Sequence, residues 1–348
     1  MKGSKVFKLI LLLIVIIILF ATWKFFGPAV SNPDKKYLFI KTGSGYEDVK
    51  NDLIDSKLLN STFWFNTAAS IMHYKTVKPG RFKIDQGTSL VSMIRMLKNG
   101  RQSAVKLVIT RLRTKEDLAR KIGLNFEPDS AAVSLFLNTP DSIAKYHLDT
   151  NTVMTAIIPD TYTILWNTSF PKIFRTLKIA EERFWNATRK GQAANLHLSP
   201  DKVYILASIV EEETNMEQDK GKVASVYMNR LNSGMRLAAD PTVKFALKQF
   251  ALKRIMNKQT QFNSPYNTYT TSGLPPGPIC TPSMKTIDAV LNAPATPYLF
   301  FVAKPDRSGY SNFVSSYEEH RKYATIYQHW LDSLFTSRHL NKDGSTGN

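Results

Sequence analysis

The run from Leu9 to Trp23 carries no charge and is built almost wholly of Leu, Ile, Val and Phe. With Lys8 and Lys24 snorkelling outward it extends from Val6 to Phe26, about twenty residues, enough to cross a hydrocarbon core roughly 30 Å thick. A cleaved secretory leader also has a basic start and an apolar centre. This run, however, ends in Thr22-Trp23-Lys24-Phe25-Phe26, without a small-x-small cleavage pattern and with rings suited to a membrane interface. The sequence therefore predicts an uncleaved transmembrane helix over 6–26, in contact with the lipid bilayer. Lys2, Lys5 and Lys8 place the N-terminus, 1–5, in the cytoplasm by the positive-inside tendency, and everything after Pro28 outside. The expected location is the cytoplasmic (inner) membrane, single-pass, with the folded part in the periplasm or an equivalent extracytoplasmic space.

That orientation changes what the charge means. Lys and Arg number 46 against 28 Asp and Glu, a net charge of +18 in 348 residues. Nucleic acid is the usual partner of so basic a chain, but little of it is met outside the cytoplasm. Anionic lipid headgroups or a carboxylate-bearing cell-wall polymer fit better, beside a plain role in solubility. The single cysteine, Cys280, excludes an intrachain disulfide and a Cys-based zinc site, and the six histidines show no H-E-x-x-H spacing. There is no P-loop, no G-x-S-x-G and no heptad repeat, so no metal and no cofactor are expected.

After a linker over 27–36, short strand-like runs alternate with helices opened by capping signals. Tyr37 to Lys41 precedes Ser44-Gly45-Tyr46-Glu47, read as a capping box before Val49 and Leu53. Arg81 to Ile84 precedes Thr88, Ser89 and the stripe Leu90, Met93, Ile94, Leu97; Val105 to Ile109 precedes Thr114-x-x-Asp117. Such alternation predicts an α+β fold made of small modules: one over 37–105, a connecting α+β region over 106–198, a mixed α+β domain over 199–338 and a frayed tail over 339–348. Within the connecting region, Ile158 to Tyr162 reads as a break between helices and Arg189 to Gln192 as a loop. Asn263 to Pro282 reads as a long ordered loop, rich in Pro, Gly, Asn and aromatic residues, of the kind that carries function.

Ser199-Pro200 opens a helix, with Ser as N-cap and Pro at its first position, and Val203 to Val210 make it apolar nearly all round. Such a helix is buried. It ends in Glu211-Glu212-Glu213-Thr214. At 100° per residue Glu211 falls near Tyr204 and Ala207, and Glu213 near Leu206 and Ile209, while Glu212 is the one expected to face water. A carboxyl on a buried stripe has its charged form desolvated and its pKa raised, as a general acid needs near neutral pH. Periodicity leaves both Glu211 and Glu213 as candidates. Downstream, Tyr266-Asn267-Thr268-Tyr269 and Gly273-Leu274-Pro275-Pro276-Gly277-Pro278-Ile279 mix rings, amides and hydroxyls on a stiff loop, which suits the C–H faces and hydroxyls of a sugar.

Taken together, Ala207 to Thr214, Asp219 to Arg230, Gly234 to Leu237, Asp240-Pro241-Thr242-Val243, the two loop motifs and Thr296 to Ala303 closely resemble the endolytic murein transglycosylases, the MltG/YceG-like family. The resemblance implies a LysM-like module over 37–105 and a catalytic domain over 199–338. It implies a lyase acting within peptidoglycan strands: cleavage of the N-acetylmuramic acid–N-acetylglucosamine bond with a 1,6-anhydro end, limiting strand length. It also implies that the first glutamate of the run, Glu211, is catalytic. Glu213, Thr214, Asp240, Tyr266, Asn267, Thr268 and Tyr269 are then the candidates for binding or positioning substrate, with holding the loop as the alternative role. Association with cell-wall synthases goes with the family. The chain departs from the usual pattern at Glu212, where Lys is common, at Ala238-Ala239 and at Cys280. A noncatalytic, membrane-anchored glycan-binding or synthase-adaptor protein is the alternative that the same residues allow.

Overall fold

An unbroken apolar run offers none of the alternation a half-buried strand needs, and it forms helix α1, Lys2–Phe26. The structure, a computed structural model, describes residues 2–30 and 36–343, with side chains within 4–30 and 36–333. After α1 come β1 (Tyr37–Ile40), α2 (Tyr46–Asp55), α3 (Phe63–Ile71), β2 (Gly80–Lys83), α4 (Leu90–Asn99) and β3 (Val105–Val108). Next are α5 (Lys115–Asn125), α6 (Ser130–Asn138), α7 (Pro140–Ala144), a 3-10 turn (Val153–Ala156), β4 (Thr161–Ile164), α8 (Phe170–Phe184) and α9 (Ala187–Asn195). The rest is α10 (Pro200–Glu213), α11 (Glu217–Asn232), α12 (Asp240–Ala246), α13 (Asn257–Thr260), α14 (Met284–Leu291), β5 (Phe300–Ala303), β6 (Ser311–Val314) and α15 (Tyr317–Asp343). The mixed α+β class is as expected.

The chain divides into two compact units. The first comprises Met1–Leu107, Lys121–Ser130 and Tyr162–Ile173. In it β1 and β2 pair antiparallel, from Tyr37 opposite Lys83 to Ile40 opposite Gly80, with α2 and α3 between them in sequence. Leu38 and Ile40 of β1 and Phe82 of β2 are buried with Val49 and Leu53 of α2, Phe65 of α3, and Leu90, Met93, Ile94 and Leu97 of α4. The expected α4 stripe is thus the core-facing one. Ser89 caps it by accepting from the Ser92 N–H at 3.2 Å. Gly100 ends it at φ 66°, the left-handed turn that lets its N–H and that of Arg101 reach back to carbonyls of the last turn. The box at α2 differs from the sequence reading. Gly45 is the cap and its N–H donates to Asp48 at 2.8 Å, while Glu47 pairs with Lys50 at 2.6 Å.

The second unit comprises Val108–Arg120, Ala131–Thr161 and Phe174–Asn348. Its axis is α10, in which every residue from Val203 to Val210 is buried, packed on α11, α12 and α14. Polar groups inside this helix are all used. Tyr204 donates to the Ile157 carbonyl at 2.5 Å, and Ser208 donates to Ile205 and accepts from the Ile279 N–H at 3.0 Å, fastening the end of the Pro-rich loop. β5 and β6 form an antiparallel hairpin beside α15.

Three further sequence expectations change. Arg189 to Gln192 is helical, inside α9, because Asn186 caps it (Arg189 N–H to Asn186 at 3.0 Å) and Arg189 is spent on a bidentate pair with Asp288 at 2.8 and 3.0 Å. The break at Ile158 to Tyr162 leads directly into β4, which pairs with β3. The last helix runs through Asp343, past the expected frayed boundary at His339; 344–348 of that tail, and 31–35 of the linker, lie outside the described residues.

Candidate active site

The three glutamates that close α10 have three different environments. Glu211 is only 14% exposed at its side chain, and its Oε2 accepts from Lys220 Nζ at 3.4 Å, from Ser283 Oγ at 3.1 Å and from the Thr286 hydroxyl. Lys220 is itself buried and shared with Glu217 at 2.6 Å. Glu211 is therefore a junction tying α10 to the start of α14 and to α11.

Glu212 does not face water. It takes a bidentate pair from Arg113 at 3.0 and 2.9 Å, with Arg111 at 3.5 Å, and its side chain is 14% exposed. On α10 alone Glu212 points outward, but the 111–113 segment covers that face, so the expectation of a water-facing carboxylate fails. Removing it strands two guanidinium groups in a half-buried place. Glu212→Ala should therefore lower unfolding free energy by about 2 kcal/mol, read as a drop in denaturation midpoint without change of slope.

Glu213 is the last residue of α10, partly buried, beside the C-terminal end of the helix dipole where a negative charge is unwelcome. Burial pushes its carboxyl up to about 7, reinforced by the nearby Asp240 and opposed by the Tyr227 hydrogen bond and by Lys244 and Arg230. The Tyr227 hydroxyl, from α11, donates to Glu213 Oε1 at 2.5 Å. Arg230, one turn on, donates to the carbonyls of Leu237 and Leu299 at 2.5 and 2.7 Å, which holds its guanidinium in place near the pair.

The downstream motifs split by burial. Asp240, in the first turn of α12, accepts from the Tyr269 hydroxyl at 2.6 Å. Burial, and then Asp240, raise the Tyr269 phenol well above its usual range. Tyr266 is half-buried, packs on Phe245 at 4.8 Å and lines a cavity of about 210 Å³ with Asn151, Met154, Lys115 and Lys248. Asn267 and Thr268 are 0% and 1% exposed. Asn267 donates to Thr260 and Phe262 carbonyls and accepts from the Tyr269 N–H at 3.0 Å; Thr268 binds Thr242 at 2.8 Å and the Ala239 N–H at 3.0 Å. These two residues hold the loop. Thr214 likewise accepts from the Met216 N–H at 3.0 Å and forms the turn between α10 and α11.

Glu213, Tyr227, Arg230, Asp240 and Tyr269 thus come together, with Tyr266 on the same loop. Tyr227 and Arg230 lie in a motif noted in the sequence but carry no role there. Their i, i+3 spacing on one helix face was the available signal.

This arrangement has relatives. The YceG-like family model matches residues 38–325. A Bacillus subtilis protein named endolytic murein transglycosylase is 36% identical over 156 residues, 45% of this chain and 42% of that protein. A Streptococcus pneumoniae protein of the same name is 24% identical over 321 residues, 82% of this chain and 57% of that protein. The chain therefore spans about half the length of the curated relatives it matches. A crystal structure of a YceG-like protein from Listeria monocytogenes superposes with a TM-score of 0.56 at 26% identity, over 82% of this chain and 97% of that one. With a family match that covers most of the sequence and a solved relative of the same fold, this chain belongs to the YceG-like family.

Proposed function

We propose that this protein is a membrane-anchored endolytic transglycosylase of peptidoglycan in which Glu213, rather than Glu211, moves the proton. The carrying observation is a carboxyl at the end of a buried helix, held by the Tyr227 hydroxyl and close to the Asp240–Tyr269 pair of an aromatic loop, where burial pushes it up to about 7. A lytic cleavage needs one group that is first an acid and then a base, and a pKa near the working pH serves both halves. Glu213 donates its proton to the glycosidic oxygen as the bond from muramic acid C1 breaks. The muramic acid 6-hydroxyl oxygen attacks C1, and the Glu213 carboxylate takes the proton that oxygen loses. The ring closes without water, and the carboxyl ends as it began. Glu211, tied to Lys220, Ser283 and Thr286, fixes the end of α10. Tyr227 orients the acid, and Tyr269, Asp240 and Tyr266 border the sugar.

The β1-α2-α3-β2 order supports a LysM-like, glycan-binding reading of the first unit. The anchor reading rests on Ser4–Phe26, long and apolar enough to span and exposed along most of its length, and on Trp64 packing against Phe20 and Phe25 near its end, a contact that cleavage of a leader would destroy.

Purified glycan strands incubated with the chain should yield termini one water lighter than hydrolysed ends by mass spectrometry. Hydrolysed ends alone, or uncut strands, would defeat the reading. Tyr227→Phe removes the hydrogen bond that favours the Glu213 carboxylate. The alkaline limb of the rate should then move to higher pH, with a loss of about tenfold at neutral pH from lost orientation. A pH–rate profile checks both.

A further inference from the structure

Helix α3 reads FWFNTAASI: Asn66, Thr67 and Ser70 fall on one side of it, and the apolar residues Trp64, Phe65, Ala68, Ala69 and Ile71 take the rest of the circumference. Phe65, Ala68 and Ala69 do enter the core of the first unit. Phe63 and Ile71, eight residues apart and so about 80° from each other around the helix, stand 65% and 66% exposed on adjoining parts of its surface. Trp64 packs edge-on against Phe20 and Phe25 of α1, at 5.9 and 5.8 Å, and against Phe63 at 5.3 Å. Phe20 lies six residues inside the end of the apolar span, about 9 Å along the helix axis. A side chain that touches Phe20 therefore sits at membrane depth whenever α1 crosses a bilayer.

Beside this contact Phe25, Phe26, Ala68, Ile71, Met72 and Val91 line a cavity of about 260 Å³, with the Arg95 side chain at its edge. Arg95 is exposed, and among the described residues no carboxylate lies within ion-pairing distance of it. An apolar slot with a free guanidinium at its mouth matches an acyl chain below a phosphate.

We propose that the exposed face of α3 and this cavity form an interfacial lipid site, occupied by an anionic phospholipid of the bilayer that α1 spans. The proposal rests on the anchor reading. It gives the first unit a second grip on the membrane, so that the span is not a loose tether and the module lies against the leaflet at a set height.

The test uses the full chain in phosphatidylcholine vesicles with and without phosphatidylglycerol. Environment-sensitive labels are placed at Phe63→Cys and Ile71→Cys, each with Cys280→Ala. Brominated lipids should quench both labels and aqueous iodide should not. Quenching by brominated phosphatidylglycerol should exceed that by brominated phosphatidylcholine, and Arg95→Gln should reduce that preference about fivefold, the effect of one cation near an anionic leaflet. Labels open to iodide and silent to brominated lipid, in a chain that resists alkaline carbonate extraction, would overturn the site while leaving the anchor intact. Extraction by carbonate would remove the anchor and the site together.

Discussion

Glu213→Gln should lower cleavage of glycan strands by about 10³-fold, the scale of one acid–base group, and leave the fold intact. Gln accepts the Tyr227 hydrogen bond at the same place, so geometry is kept while the transferable proton is lost. Glu211→Gln should behave differently. Its carboxylate answers Lys220, which is buried and also paired with Glu217. That substitution loosens the junction of α10 with α14 and is expected to appear first as a lower denaturation midpoint, with the smaller loss of rate. Assaying both variants on the same strands separates a chemical from a structural role.

The same substitution should make the protein more stable. Glu213 has a folded pKa of about 7 against an ordinary 4.5. Between those values the folded chain holds a proton that the unfolded chain has released, so stability falls as pH rises through this window and the loss persists above it. The shift corresponds to about 3 kcal/mol, and the partly open position of the carboxyl reduces that to about 2 kcal/mol. Glu213→Gln should therefore gain about 2 kcal/mol near pH 8 and nearly nothing near pH 4, measured by denaturant titration. A group that opposes folding and is kept for chemistry, the role proposed for Glu213, gives up activity for stability when it is replaced.

Much of the architecture was legible because it rests on periodicity and caps. The α4 stripe, the Ser89 and Ser199 caps and the apolar girdle of α10 each follow from local spacing. What was illegible depended on distant partners. Asp288, 99 residues away, takes up the Arg189 guanidinium of α9, while the Asn186 cap of that helix is a local signal that the sequence reading passed over. The 111–113 arginines bury Glu212, which α10 alone leaves outside.

The choice between Glu211 and Glu213 shows the same limit. Both lie on buried stripes, and only tertiary contacts give one a lysine and two hydroxyls and the other a phenol and a neighbouring aspartate. In the loop motif, Tyr266 and Tyr269 keep accessible edges, whereas Asn267 and Thr268 turn inward because the tight turns at Thr260 to Thr271 need their side chains to satisfy buried backbone groups.

The most direct measurement is the titration of the Glu213 carboxyl itself, followed by infrared difference spectra between the chain and Glu213→Gln across pH. A carboxylic acid band assigned to position 213, lost with a midpoint near 7, is the predicted result. A midpoint near 4.5, or a neutral-range band that survives Glu213→Gln and vanishes in Glu211→Gln, would contradict the account.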